Sequence, residues 1–436
     1  MTTTATVADL VAHCLLAQGA RRVFRAPGSE MPALVGLDEV AVPTAELASI
    51  LADADGRLAR GVGAGPGVAF LDGRRLRLSS QPGERVEVHE VFDVVSVPAT
   101  LAGWTLGEVH ATAEYDLFVD FFAPAPDGLE PVALDAASDQ LITLSPTLAD
   151  FATMLLVGPG VARAGQSDAV AEAARRTGAG VVATLGAVGV LAVDDPAWCG
   201  VVGLQADDTT RSGLAGAELV IAAGVDPAEA VDLLPDGAQV LDVEPWHLGL
   251  MARHWPDPDE RSAGSPLTRQ LAELVDGPPD PTLPMSAVRA TTEVLSAVAD
   301  GGVVAADAGP VGLWLARGLA STTARVVVPA RPAPGFAAAA AFVEALSGRP
   351  ALAVTTAPVD PLTDAVLTLA ADLDLPLVVE VWGADASWAS PDEHTPRLAA
   401  ALAAGGVHRL AVPVDLSGTR ALVELAGPVA AWSRER

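Results

Sequence analysis

The chain has 436 residues, half of them apolar, and carries 26 basic against 55 acidic side chains for a formal charge of −29 at pH 7. That length predicts two or three separately cored domains, since one domain usually runs to about 100–200 residues. Such an acidic surface excludes nucleic acid and anionic membranes as partners, and no apolar run approaches the roughly 18 residues of a membrane span, which leaves small molecules or other proteins.

In chain order, residues 1–9 are polar, with no basic stretch followed by an apolar one, so a cytoplasmic location is expected. Val7, Leu10, Val11, Cys14 and Leu15 form an i, i+3, i+4 stripe on a helix that ends at Gly19. A short strand at 22–25 runs into Pro27-Gly28, and a second helix carries Leu47, Ile50, Leu51 and Leu58 with Thr44 as its cap. Residues 68–71 read as a strand, and the alternation over 74–90 about Gln81-Pro82-Gly83 predicts a hairpin. The first segment closes near 131–135.

From about 144 to 276, apolar runs at 154–157, 181–184, 219–223 and 240–243 alternate with helical patterns such as 168–177. Gly158-Pro159-Gly160 follows the first of these runs. This alternation implies a parallel sheet covered on both faces. Gly277-Pro278-Pro279-Asp280-Pro281 reads as a linker, and strands at 303–306, 326–328, 351–354, 377–381 and 410–412 repeat the pattern. The expectation is therefore an α/β protein of three successive domains with parallel sheets, at 1–140, 141–276 and 282–436, the central one Rossmann-like.

Cys14 and Cys199 lie in apolar settings without a CxxC partner or a His at ligand spacing, and are expected to be reduced core residues. The chain contains neither Lys nor Asn. Lysine Schiff-base chemistry and asparagine metal ligands are thereby excluded. His89, His110, His247, His254 and His394 form no spaced metal set.

Residues 19–28, GARRVFRAPG, resemble the GV..VFG.PG run that opens the pyrimidine-binding domain of thiamine diphosphate (ThDP)-dependent enzymes such as acetolactate synthases and benzoylformate decarboxylases. Val157-Gly158-Pro159-Gly160-Val161, the stretch VVATLGAVG at 181–189, Asp194-Asp195-Pro196 and the stretch GVVGLQ at 200–205 are similar to the family's central domain. Asp307-Ala308-Gly309, Leu313-Trp314-Leu315-Ala316-Arg317 and Gly335-Phe336-Ala337 resemble its diphosphate-binding domain. The likeness spans nearly the whole chain in the family's domain order. It implies ThDP-binding folds at both ends, and a cleft to which Pro27, Gly28, Asp307, Gly309, Gly335 and Phe336 contribute.

The cofactor is an electron sink for 2-oxo acid chemistry, and the resemblance implies two protein contributions to it. A carboxylate hydrogen-bonds the aminopyrimidine, a role that falls on Glu46. A divalent metal ties the diphosphate to the protein through a Gly-Asp-Gly motif and, further on, Asn-Asn. Aligned on Leu375-Pro376, these motifs fall on Thr356-Ala357-Pro358 and Gly383-Ala384, so Ala357 and Ala384 stand where the metal ligands belong. Asp360 and Asp385 are the nearby substitutes, competing with plainer roles as a helix N-terminal acid and a loop acid. Arg331 offers a local counter-charge.

After 68–71 the family continues through a loop, a helix and another strand, whereas here the 74–90 segment follows at once and the likeness resumes at His89-Glu90-Val91-Phe92-Asp93. Roughly one βα unit is missing from a region that helps form the family's subunit contact. The reading preferred from sequence is a shortened, degenerate member that does not run ThDP chemistry alone, with no cofactor of its own. It would serve as a partner for an intact paralogue, a homo-oligomeric or small-molecule-binding protein, or an enzyme with another use for the cleft. The alternative is an active ThDP- and Mg²⁺-dependent 2-oxo acid carboligase or decarboxylase, acetolactate synthase-like, with an unusual metal site. A nucleotide-binding role for Gly158-Pro159-Gly160 is a third reading, weakened by the lack of a full GxGxxG pattern.

Overall fold

A computed structural model describes residues 5–28, 32–60, 65–80, 86–105, 112–132, 144–230, 232–256, 264–277, 281–299, 301–319 and 324–432. The chain divides into two compact units, Met1–Asp139 and Gln140–Arg436. The expected boundary near 140 and most of the Pro-rich linker (278–280) lie outside the described residues.

The first unit is built on one mixed sheet of β1 (Arg22–Arg25), β2 (Asp38–Ala41), β3 (Gly67–Phe70), β4 (Arg75–Ser79), β5 (Glu87–Val91) and β6 (Thr112–Leu117), in the order β2-β1-β3-β4-β6-β5. Helix Val7–Ala17 starts with a reciprocal cap: the Thr6 hydroxyl accepts from the Asp9 amide, and the Asp9 carboxylate accepts from the Thr6 amide at 2.7 Å. Its apolar stripe packs on Val23, Val68 and Phe70 of the sheet. Thr44 caps helix Ala45–Leu58 by accepting from the Leu47 amide at 3.1 Å.

The 74–90 hairpin is corrected by the structure. β4 turns back tightly on β3 and runs antiparallel to it, and its other neighbour is β6, again antiparallel. β5 is separated from β4 by β6, which it pairs in parallel. Alternation along 75–79 and 87–91 marks two strands correctly, but sequence neighbours need not be sheet neighbours. The first sheet is therefore parallel except for β4. On one of its faces Arg77 makes a bidentate contact to Asp53 of helix Ala45–Leu58 (2.9 and 3.0 Å) and reaches Glu114 of β6 at 3.0 Å.

The second unit contains two all-parallel sheets of five strands. One comprises β7 (Thr153–Val157), β8 (Gly180–Ala183), β9 (Trp198–Val201), β10 (Leu219–Ala223) and β11 (Gln239–Val243), in the order β11-β10-β7-β8-β9. The other follows a short strand, β12 (Met285–Ser286), and comprises β13 (Val303–Ala306), β14 (Arg325–Val327), β15 (Ala351–Thr356), β16 (Leu377–Trp382) and β17 (Val407–Val412). Its order is β14-β13-β15-β16-β17, and β18 (Val414–Asp415) pairs with β12. Each sheet reverses its winding once, so each has a topological switch point, β7/β10 in one and β13/β15 in the other.

Both faces of the inner strands are covered, which explains their near-continuous apolar runs: all four residues of β13 are buried, as are all five of β10. A buried aliphatic side chain contributes about 1.5–3 kcal/mol. One apolar cluster includes Leu155 and Ile221 of the first of these sheets and Val304 and Val354 of the second. Among the described residues no helix is long and apolar enough to cross a membrane. Cys14 and Cys199 are both buried and free, and burial pushes each thiol up to about 11.

Candidate functional site

In open α/β sheets a ligand is held beyond the carboxyl ends of the strands, at the switch point. At β7/β10 that position is closed. The Gly158 amide donates to the Ala223 carbonyl at 2.9 Å and the Gly160 amide to the Gly224 carbonyl at 2.8 Å. A Cβ on Gly158 would lie 2.3 Å from the Val225 Cα, and one on Gly160 would lie 2.7 Å from the Gly224 Cα. These glycines are needed for backbone-to-backbone contact, and two amides that a phosphate would use are already bonded.

At the β13/β15 switch point the structure brings together several residues that the sequence singled out. Asp307 follows β13, and Gly309 (φ 113°) precedes helix Pro310–Ala316. Gly335, at φ 77°, opens the alanine-rich helix Phe336–Leu346, whose first residue, Phe336, is fully buried. A side chain at 335 would meet Leu362 Cβ at 2.7 Å, so this helix and the next, Pro361–Asp372, begin against each other.

Asp307 accepts from the Ala337 amide at 2.9 Å and from the Thr355 hydroxyl. Burial pushes its carboxyl up to about 6 against those two donors, and the charge of Asp360 adds to the rise. Asp360 is the N-cap of helix Pro361–Asp372: it accepts from the Leu362 and Thr363 amides at 2.9 and 3.0 Å, and from the Thr363 hydroxyl at 2.7 Å. Ala357 is exposed just past β15, with its amide on the Trp382 carbonyl at 3.0 Å. Beyond β16, Gly383 turns at φ 75°, Ala384 is half-buried and Asp385 is exposed. Arg331 is half-buried in the segment before Gly335. Among the described residues no three of His, Cys, Asp and Glu are placed to hold a metal.

Pro27, Gly28 and Glu46 belong to the first unit. Pro27 and Gly28 form the turn after β1, Gly28 at φ 88°, and Glu46 is exposed in the first turn of helix Ala45–Leu58.

Among the buried polar clusters that the sequence does not reveal, two lie in the second unit near motifs singled out above. Arg317 and Asp208, both fully buried, pair at 2.9 Å, and Arg317 also donates to the Gln205 side-chain oxygen. The Gln205 amide in turn donates to the Leu422 carbonyl at 2.7 Å. Gln205 and Arg317 belong to separate motifs, and nothing in a spacing of over a hundred residues signals that they touch. The second cluster centres on His394, between Glu380 of β16 (2.9 Å) and Glu293 of helix Ala287–Ala297 (2.8 Å).

Residues 151–250 match the family model of the thiamine pyrophosphate enzyme central domain. A solved structure of a Mycobacterium smegmatis protein assigned as a thiamin diphosphate-dependent enzyme superposes with a TM-score of 0.65 at 20% identity, covering 94% of this chain and 99% of that one. The ThDP-dependent 4-hydroxybenzoylformate decarboxylase of Rhodococcus jostii RHA1 superposes with a TM-score of 0.68 at 15% identity, with the same coverage of 94% and 99%. The chain has the fold of the ThDP-dependent enzymes and carries their central domain. No curated protein sequence matches it.

Set against the needs of ThDP, the β13/β15 site fits poorly. Mg²⁺ requires hard oxygen ligands, and the aligned positions Ala357 and Ala384 offer methyl groups. The nearest acid, Asp360, is committed to its helix by three hydrogen bonds. A diphosphate at the start of helix Phe336–Leu346 would find the Ala337 amide taken by Asp307 and the Phe336 amide by the Ala333 carbonyl. It would also face the acids Asp307 and Asp360 with no metal between, an arrangement that costs charge repulsion as well as desolvation.

Proposed function

We propose that this protein is a ThDP-enzyme-fold member that has lost the metal-anchored diphosphate site and does not run ThDP chemistry by itself. It acts instead as a partner of an intact paralogue or as a small-molecule-binding protein. The observation that carries this reading is the donor set at the β13/β15 switch point: methyl groups at 357 and 384, with Asp360 turned into a helix cap. The antiparallel strand β4, standing where the resemblance implies a βα unit, supports it. Glu46 stands in a first helical turn, a place the macrodipole alone accounts for.

A second reading, a working 2-oxo acid decarboxylase or carboligase with an unusual metal site, is favoured by the end-to-end superposition on the R. jostii decarboxylase. The two are separated by incubating the isolated chain with ThDP, Mg²⁺ and an aromatic or aliphatic 2-oxo acid. No carbon dioxide release above the cofactor-free control is expected. Turnover that Glu46→Gln abolishes would establish the second reading, since a first-turn acid is worth only about 0.3–1 kcal/mol to folding and the variant stays folded.

A further inference from the structure

The segment that leaves β16 and carries Ala384 is fastened at both ends to one charged cluster. Glu380 is fully buried; one of its oxygens accepts from the Trp382 indole at 2.9 Å and the other faces His394 Nε2 at 2.9 Å. His394, also fully buried, places Nδ1 2.8 Å from Glu293. Glu293 pairs with Arg289 at 2.7 Å, and Arg289 reaches forward to Asp392 at 2.8 Å. Trp388 stacks on the His394 ring, with centroids 5.8 Å apart and planes 29° apart, and Arg397 covers Trp388 at 5.3 Å. The Ala389 amide donates to Glu393 at 2.7 Å.

Two fully buried acceptors and a buried imidazole are costly unless each is satisfied. Here every one is: Trp382 and His394 satisfy Glu380, Glu380 and Glu293 satisfy His394, and Arg289, paired with Glu293, reaches on to the exposed Asp392. We infer that residues 383–392 are held in a single conformation by this Glu380–His394–Glu293–Arg289 cluster and the Trp388 stack, so that the loop at the family's second metal-ligand position orders itself with no metal or diphosphate bound. His394 and Trp388 are thus positioning residues, acting on the loop rather than on a ligand. The inference goes beyond the loss of ThDP chemistry and does not depend on it: a loop fixed from within can flank an empty cleft or a filled one.

The test uses the full chain labelled with 5-fluorotryptophan, whose eight ¹⁹F resonances include that of Trp388, assigned by Trp388→Phe. Without additives, Trp388 is expected to give one resonance displaced from that of free fluorotryptophan and unmoved by excess Mg²⁺ and ThDP. In His394→Gln it should move to the free position while Trp198 and Trp255, both buried and outside residues 383–392, stay in place. Should His394→Gln shift all eight, Arg397→Ala is read instead, because that half-exposed side chain touches the outer face of Trp388 and should move its resonance alone. Three results would overturn the inference: a wild-type Trp388 resonance at the free position, one that is displaced only when Mg²⁺ and ThDP are added, or one indifferent to both substitutions. If ThDP binds and Trp388 is displaced beforehand, the proposed function fails and the self-ordered loop stands.

Discussion

His394 faces charge from three elements: Glu380 on β16, Glu293 and Arg289 on helix Ala287–Ala297, and Arg397 on its own helix, with Asp392 reached through Arg289. Burial opposes its protonation, but the hydrogen bonds to Glu293 and Glu380 outweigh that and lift the imidazole to about 9. Glu293 goes the other way, to about 2, because the His394 and Arg289 donors overcome its burial. A raised histidine contributes stability that is complete below its ordinary value near 6.5 and is lost as pH climbs through 9. A depressed glutamate contributes stability that is complete above 4.5 and is lost as pH falls through 2. The wild-type denaturation midpoint should therefore fall between pH 6.5 and 9, and His394→Gln should lose that alkaline fall. A variant whose midpoint follows the wild type through this range would show that His394 is neutral in the native state. None of this was visible in the sequence, where Glu293 and Glu380 lie 101 and 14 residues from His394 and no short motif joins them. Ala357 and Ala384 could be singled out because they are local: two residue types inside two short runs aligned on Leu375-Pro376.

Helix Ala45–Leu58 shows how element packing overrides propensity. A Cβ on Gly56 would lie 1.9 Å from the Ser79 carbonyl oxygen of β4, and one on Gly67 would lie 1.8 Å from the Ala52 carbonyl oxygen. Helix propensity alone gives Gly56→Ala a gain of about 0.8–1 kcal/mol. The overlap with backbone, which cannot swing aside, costs about 1–3 kcal/mol or more. Net destabilisation is expected, read as a lower denaturation midpoint, and a midpoint at or above wild type would mean that helix and sheet are not in contact here. Strands of the covered parallel sheets were legible because they are short uninterrupted apolar runs: β10 and β13 match their expected spans residue for residue. β2, Asp38–Ala41, was not, since as a largely exposed edge strand it has no apolar pattern to read. The misassigned hairpin has the same origin, because alternation reports which residues are half-buried but not which strand lies alongside.

At the scale of the whole molecule, the chain has the fold of the ThDP-dependent enzymes, and the proposed loss concerns the residues that would hold a cofactor. Both sheets of the second unit keep their parallel order and their switch points, and the buried Arg317–Asp208 pair and Gln205 tie elements more than a hundred residues apart. Burying such a pair is repaid only when its geometry and hydrogen bonds are good; the two terminal nitrogens of Arg317 are bonded to Val201, Gln205 and Asp208, while its Nε has no partner among the described residues. On the proposed reading the changes gather at the β13/β15 switch point and at the antiparallel strand β4 of the first sheet. On that reading, a chain that shares the fold of ThDP enzymes presents Asp307 and Asp360 where a metal-bridged diphosphate would need opposite charge. Titration calorimetry of the isolated chain with ThDP in excess Mg²⁺ measures the difference directly. No magnesium-dependent heat is expected, whereas a stoichiometric, magnesium-dependent heat of micromolar affinity would contradict the loss of the anchor.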